Sequence, residues 1–269
     1  MDINTINEYG KDLEQIMKLR TQPIALKWYE RVEDVPKEAV FPKRDLKKHM
    51  ALCQAFSYAR MKGMTVAMAK EDHWCWNPLV GFGQVDSEPG TPAFEEIVKF
   101  IGISDREKAN KFFAGFPRLP RGKYEAVVVA PLASATFIPD VVIIYGNTAQ
   151  INHMIRSIKS AIGSTFTSEF DGIDSCIYCT VPSFEKNEYR VTFPDPGDRE
   201  RARAGDDEAI LTVPFTRMEE FMTSLKINNK FMGFSQKLFD FNLDFARPPF
   251  YNNLFDIWGL DKGEDWSVK

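Results

Sequence analysis

Four cysteines and three histidines are the residues of this 269-residue chain best suited to carry chemistry. The thiols are Cys53, Cys75, Cys176 and Cys179. Cys176 and Cys179 form a C-x-x-C, a spacing that lets one turn aim two thiolates at a common point. A zinc or iron–sulfur site usually takes four such ligands, so the rest would come from Cys53 and Cys75. His49 lies four residues before Cys53, a separation that shares one face of a helix, and His73 lies two before Cys75. Three readings follow: thiolates around a metal or cluster, inert thiols packed as small hydrophobes, or a reactive C-x-x-C.

Cys75 stands between two indoles in Trp74-Cys75-Trp76-Asn77-Pro78. The indoles suit the wall of a flat organic ligand or a shield around a metal–sulfur centre, and equally an anchor of the loop onto the core. A charged stretch from Pro194 to Glu208 holds Arg199, Arg201 and Arg203, which could receive a carboxylate or phosphate; as a solvated turn it would contribute little. No dinucleotide fingerprint, P-loop, nucleophile elbow or H-E-x-x-H motif occurs.

The elements that must position these groups alternate along the chain. Helices are predicted at 4–20, 49–61, 148–162 and 217–225, with one or two short ones within 92–113. Strands are predicted at 23–29, 65–69, 125–132, 140–145, 189–193 and 209–213, the third and fourth rich in Val and Ile. The segments Asp72 to Gly83 and Pro194 to Glu208 read as loops. Phe231 to Trp258 is dense in aromatics and calls for burial, in a core, a ligand cavity or a subunit interface.

The pattern predicts a single α+β domain over 1–269: a mixed sheet with helices, built from two strand–helix–strand units (20–115 and 124–228), and an aromatic C-terminal segment (229–269). PIALKWY (23–29) and PDVVIIY (139–145) are both Pro-led strands ending in Tyr. With the charged loop Glu30 to Arg44 set aside, Cys53 falls on Met154 and Cys75 on Cys176. That alignment favours a structural Cys53 and a functional Cys75 and Cys176.

Composition narrows the class. Charge of −4 and a balanced polar content fit a globular protein and argue against a nucleic-acid partner. No apolar run suits a membrane span, and the start lacks a signal-peptide pattern, so a cytoplasmic location is expected. There the thiols would stay reduced.

Strand PIALKWY, then Cys53-x5-Ala59-Arg60, then Cys75-x2-Pro78-x2-Gly81-x-Gly83 resembles the prokaryotic "domain of unknown function 169", the uncharacterised ArCR proteins. Gly197 to Glu208 resembles a later motif of that family, although a Cys is expected near Gly197 where this chain has Asp195 and Pro196. The resemblance implies a recurring Cys53/Cys75 pair, an anaerobic host and no established activity.

Together these readings predict a thiolate-ligated metal protein, most simply iron–sulfur. Its ligands would be Cys75, Cys176 and Cys179, with Cys53 or His73 as the fourth. Trp74, Trp76 and Arg199 would contact the cofactor, and zinc is the alternative metal. The role would be electron transfer or reduction of a small molecule, so an oxidoreductase with a redox partner or small substrate, and a homo-oligomer is compatible. The competing prediction is a metal-free module that binds a small molecule or anion, with buried structural cysteines.

Overall fold

The computed structural model describes residues 2–231 and 249–260. Six strands form one sheet: β1 (Ile24–Tyr29), β2 (Val66–Ala69), β3 (Ala126–Pro131), β4 (Val141–Asn147), β5 (Arg190–Thr192) and β6 (Glu208–Pro214), in the order β2-β3-β1-β4-β6-β5. Every ladder is antiparallel, so the sheet is not mixed as predicted; parallel pairing is confined to the isolated bridges Val40–Val66 and Met50–His73. β3 and β6 are buried at every residue and β4 at all but its last. This explains their continuous Val/Ile runs: both faces of the sheet are covered, so an alternating polar face is not needed.

Nine α-helices flank the strands among the described residues: α1 (Ile3–Met17), α2 (Leu52–Lys62), α3 (Trp76–Gly81), α4 (Pro92–Ile101), α5 (Arg106–Gly115), α6 (Thr148–Ile162), α7 (Ser175–Lys186), α8 (Pro196–Ala202) and α9 (Met218–Phe231); α10 (Pro249–Trp258) belongs to a second compact unit, 233–269. Leu52, Ala55 and Phe56 of α2, Ile177 and Val181 of α7, and Val80 of α3 join Ile24, Leu26, Trp28 and Ile143 in one core cluster. α6 and α9 pack on each other and on β4 and β6. They bury Ile151, Met154, Ile158, Phe221 and Leu225 outside that cluster, against the opposite face.

Local chemistry sets the best-defined boundaries. Asn147 and Gln150 form a reciprocal capping box at the start of α6, and Gly163, in the left-handed conformation at φ 68°, ends it. The helix predicted at 49–61 begins only at Leu52, because Met50 is held as a bridge to His73. His49 therefore lies outside the helix, exposed, and does not share a face with Cys53. The predicted loop at 72–83 contains α3, and the charged loop at 194–208 contains α8, capped by the Asp195 side chain accepting from the Asp198 amide.

Within the aromatic tail, 232–248 lie outside the described residues. In α10, Phe250, Ile257 and Trp258 are exposed.

No described helix is long and apolar enough to cross a membrane.

One close approach gives a direct test of the packing. The backbone of α1 at Gly10 runs against the turn after β3, where a Cβ would lie 2.5 Å from the Ala133 amide nitrogen. Backbone cannot yield as a flexible side chain does. Gly10→Ala is therefore expected to destabilise the protein by about 1–3 kcal/mol, the usual scale of overpacking. Urea denaturation of the two proteins measures this; an unchanged midpoint would contradict the packing.

Candidate functional site

Three of the four thiols line one cavity. Ala51, Leu52 and Cys53 come from the start of α2, Trp74 to Asn77 from the start of α3, Ile173 and Cys176 from the start of α7, and Asp195, Pro196, Gly197 and Arg201 from α8, with Phe100 and Ile101 of α4 completing the wall. Its volume is about 520 Å³, an ordinary size for a small-molecule or cofactor site. Each thiol sits at a helix start: Cys53 and Cys176 are the second residues of α2 and α7, and Cys75 is the N-cap of α3.

These positions create opposing influences on the sulfurs. Burial is the largest effect on all three and pushes each thiol upward. Asp195 raises all three further, and Asp198 raises Cys53 and Cys176. Against this, the Gln54 amide hydrogen-bonds Cys53, the Asn77 amide hydrogen-bonds Cys75, and Arg201 also lowers Cys75. Burial wins, so the thiols by themselves are protonated at neutral pH. A cation among them would reverse the balance, because metal binding displaces the proton. The sulfurs also raise one another, Cys75 and Cys53 acting on Cys176, which is the electrostatic mark of their convergence.

Cys179, expected as a ligand through the C-x-x-C, is not on the cavity wall. It is fully buried, and its Sγ donates to the Cys176 carbonyl at 3.4 Å. On a helix, one thiol of the pair meets the cavity while the other points to the sheet. Cys53, which its alignment with Met154 favoured as structural, lies on the cavity wall.

His73 is also absent from the wall. Its imidazole is buried edge-on to Phe82, with centroids 6.5 Å apart, neither ring nitrogen has a partner, and burial lowers its pKa to about 3.

The two indoles divide their work. Trp74 is half-exposed at the mouth, where its Nε1 donates to Gln54 and its ring lies 4.8 Å beneath the Arg201 guanidinium. Trp76 leans on Phe116 at 5.4 Å and anchors the loop while lining the cavity. Arg199 instead donates to the Gly205 carbonyl and Asp206, closing its own loop. The cavity arginine is Arg201, two residues on.

Behind the wall lies a buried polar network. Asp195 accepts from the Ser175 amide, and the Ser175 hydroxyl lies within hydrogen-bond reach of both Asp195 and Asp198, its one proton serving either carboxylate. Tyr145 Oη donates to Asp198 at 3.1 Å, and the Arg60 guanidinium stacks 4.1 Å over the Tyr145 ring. Arg60 also faces Glu208 at 3.5 Å and donates to the Ala202 carbonyl. Burial and then Asp195 raise Asp198 to about 6. Asp174, held by Asn77 Nδ2 at 2.5 Å, rises to about 8 through burial, then Asp171 and Asp195. Sequence reasoning passed over Asp174 and noted Asp195 only as standing where the family resemblance expects a Cys. Asp-Pro at 195–196 is a helix-start signal that could have located the second of them.

A carboxyl whose folded pKa lies above its unfolded value favours folding below the unfolded value and loses that contribution as pH rises through the folded one. For Asp174 this window runs from about 4 to about 8. Asp174→Asn removes the ionisation while keeping the shape. It is expected to leave stability near pH 4 little changed and to raise it at pH 8 by about 1 kcal/mol or more. Denaturation midpoints of both proteins across this range measure it; parallel curves would contradict the assignment.

No solved structure matches the chain. Uncharacterized protein MJ0308 of Methanocaldococcus jannaschii is 25% identical over 228 residues, covering 84% of this chain and 96% of that protein. The family model described as uncharacterised ArCR, domain of unknown function 169, matches residues 12–224, which span all six strands and the whole cavity wall. The chain belongs to the uncharacterised ArCR family.

Proposed function

We propose that the cavity holds an iron–sulfur cluster through Cys53, Cys75 and Cys176, and that the protein transfers electrons or reduces a small molecule bound beside it. The observation that carries this reading is the arrival of three thiols, from three separate helix starts, on the wall of one cavity.

The fit distinguishes metal classes. Among the described residues no group of three or more His, Cys, Asp or Glu side chains is placed to hold a metal ion, so a cluster here requires the cavity wall to close on it. One tetrahedral zinc, with bonds of about 2.3 Å, would need its sulfurs within about 4 Å of one another. A polynuclear cluster is bulkier than a single ion, and a cavity of about 520 Å³ has room for one. Backbone amides facing Cys53 and Cys75 supply the hydrogen bonds to sulfur that tune cluster potentials. Trp74 and Trp76 limit water at the same sulfurs. When bound, the cluster would supply one-electron chemistry. The chain's own residues hold it, shield it, and through Arg201 offer a cation to an anionic substrate at the mouth.

A second reading has its own support. Burial keeps the thiols protonated, and Leu52, Phe100, Ile101 and Ile173 make much of the wall apolar. A metal-free module binding a flat, anionic small molecule between Trp74 and Arg201 would use the same cavity.

Iron and acid-labile sulfide content with the visible spectrum, measured on anoxically purified protein, separates the two. The cluster reading expects a brown protein with roughly four iron per chain for a cubane. Cys53→Ser, Cys75→Ser and Cys176→Ser should each lose most of the colour, and Cys179→Ser should keep it. A colourless, iron-free protein after strictly anoxic preparation from its native host would overturn the cluster reading in favour of the metal-free one.

A further inference from the structure

A second cavity, of about 550 Å³, shares no lining residue with the one that holds the thiols. Its wall comes from the last turn of α1, the turn into β1, the last turn of α2 and the segment from α8 into β6. Three arginines meet there, Arg20, Arg60 and Arg203, with Glu14 and Glu208.

The partners of these groups decide what the cavity can take. Arg20 donates to both carboxylate oxygens of Asp207. Arg60 is only 1% exposed; it faces Glu208 at 3.5 Å, and its terminal nitrogens donate to Thr21 Oγ1 at 3.1 Å and the Ala202 carbonyl at 3.3 Å. Those contacts leave Nε without a partner, although buried N–H groups are nearly always paired.

Glu208 offsets Arg60 as Asp207 offsets Arg20, so one cation of the wall stands over. Arg203 is exposed, and its side chain has no hydrogen bond or ion pair among the described residues. At the C-cap of α8 it also holds a left-handed backbone, φ 55°, which glycine adopts more easily than arginine. The remaining acid is Glu14. Its Oε1 is buried with no donor, and burial raises its pKa.

An unpaired cation and an unpaired acceptor on one wall are the complement of a small molecule that carries an anionic group and a hydrogen-bond donor. The guanidinium fork matches a carboxylate. A single uncompensated cation suits a monoanion, whereas a phosphate dianion would bring a charge the wall does not balance.

We infer that this second cavity binds a small amino or hydroxy carboxylate, its carboxylate on Arg203 and the Arg60 Nε–H, its amine or hydroxyl on Glu14. The thiols take no part, so the site is the same whether or not the other cavity holds a cluster.

Calorimetric titration of the full-length protein with short straight-chain amino and hydroxy acids, the matching unsubstituted acids and inorganic phosphate tests this. Saturable binding is expected for at least one amino or hydroxy acid, with the unsubstituted acid of the same length and phosphate weaker by roughly fivefold or more. Glu14→Ala should erase the preference over the unsubstituted acid. Arg203→Gly should lower affinity about tenfold or more while thermal stability stays equal or rises, because glycine suits the left-handed turn. No saturable binding of any amino or hydroxy acid, tighter binding of phosphate, or an affinity unchanged in Arg203→Gly would overturn the proposal. Binding lost in Arg201→Ala but kept in Arg203→Gly would place the carboxylate in the thiol cavity and overturn it equally.

Discussion

The carboxyl of Asp198 is buried among Tyr145, Ser175 and the Asp195 side chain, and the geometry of the cavity depends on that arrangement. Ser175 opens α7, Asp195 opens α8, Tyr145 belongs to β4, and Arg60 near the end of α2 stacks on Tyr145. One hydrogen-bonded network therefore fixes the start of α7 and the start of α8 against the sheet, and ties α2 to both. Buried polar groups left unpaired cost about 1–3 kcal/mol each, so the network has few alternative arrangements. Cys176 and the Asp195 carboxylate are set in place as a consequence.

The same burial that fixes the geometry governs the sulfurs. Withdrawal from water raises the thiols, and the nearby carboxylates add to it. Amides at the helix starts and Arg201 work in the other direction without prevailing. A site of this kind favours a ligand that brings its own positive charge, or one that needs none from the sulfurs. This is the physical divide between the cluster and the metal-free module, and both halves of it lie in the same few residues.

Much of the sheet was legible because its strands are long apolar runs, and α6 because Asn147 and Gly163 punctuate a clean helical stripe. α3 and α8 were hidden by brevity, at six and seven residues, and by their Gly, Pro and charge content. α7 was obscured by Pro182, which ordinarily breaks a helix interior. Cys179 parts from Cys176 in the same segment, since a C-x-x-C aims both thiols at one point in a turn but on this helix divides them between cavity and sheet. Cys75 and Cys176 were identified from sequence as a pair worth attention. That Cys53 and Asp195 share their cavity became visible only in the folded chain.

Iron-edge X-ray absorption fine structure of the anoxically purified full-length protein tests the central claim most directly. The account expects iron surrounded mainly by sulfur, with an iron–iron distance in the second shell. Iron bound only by oxygen and nitrogen, or no iron at all, would contradict it.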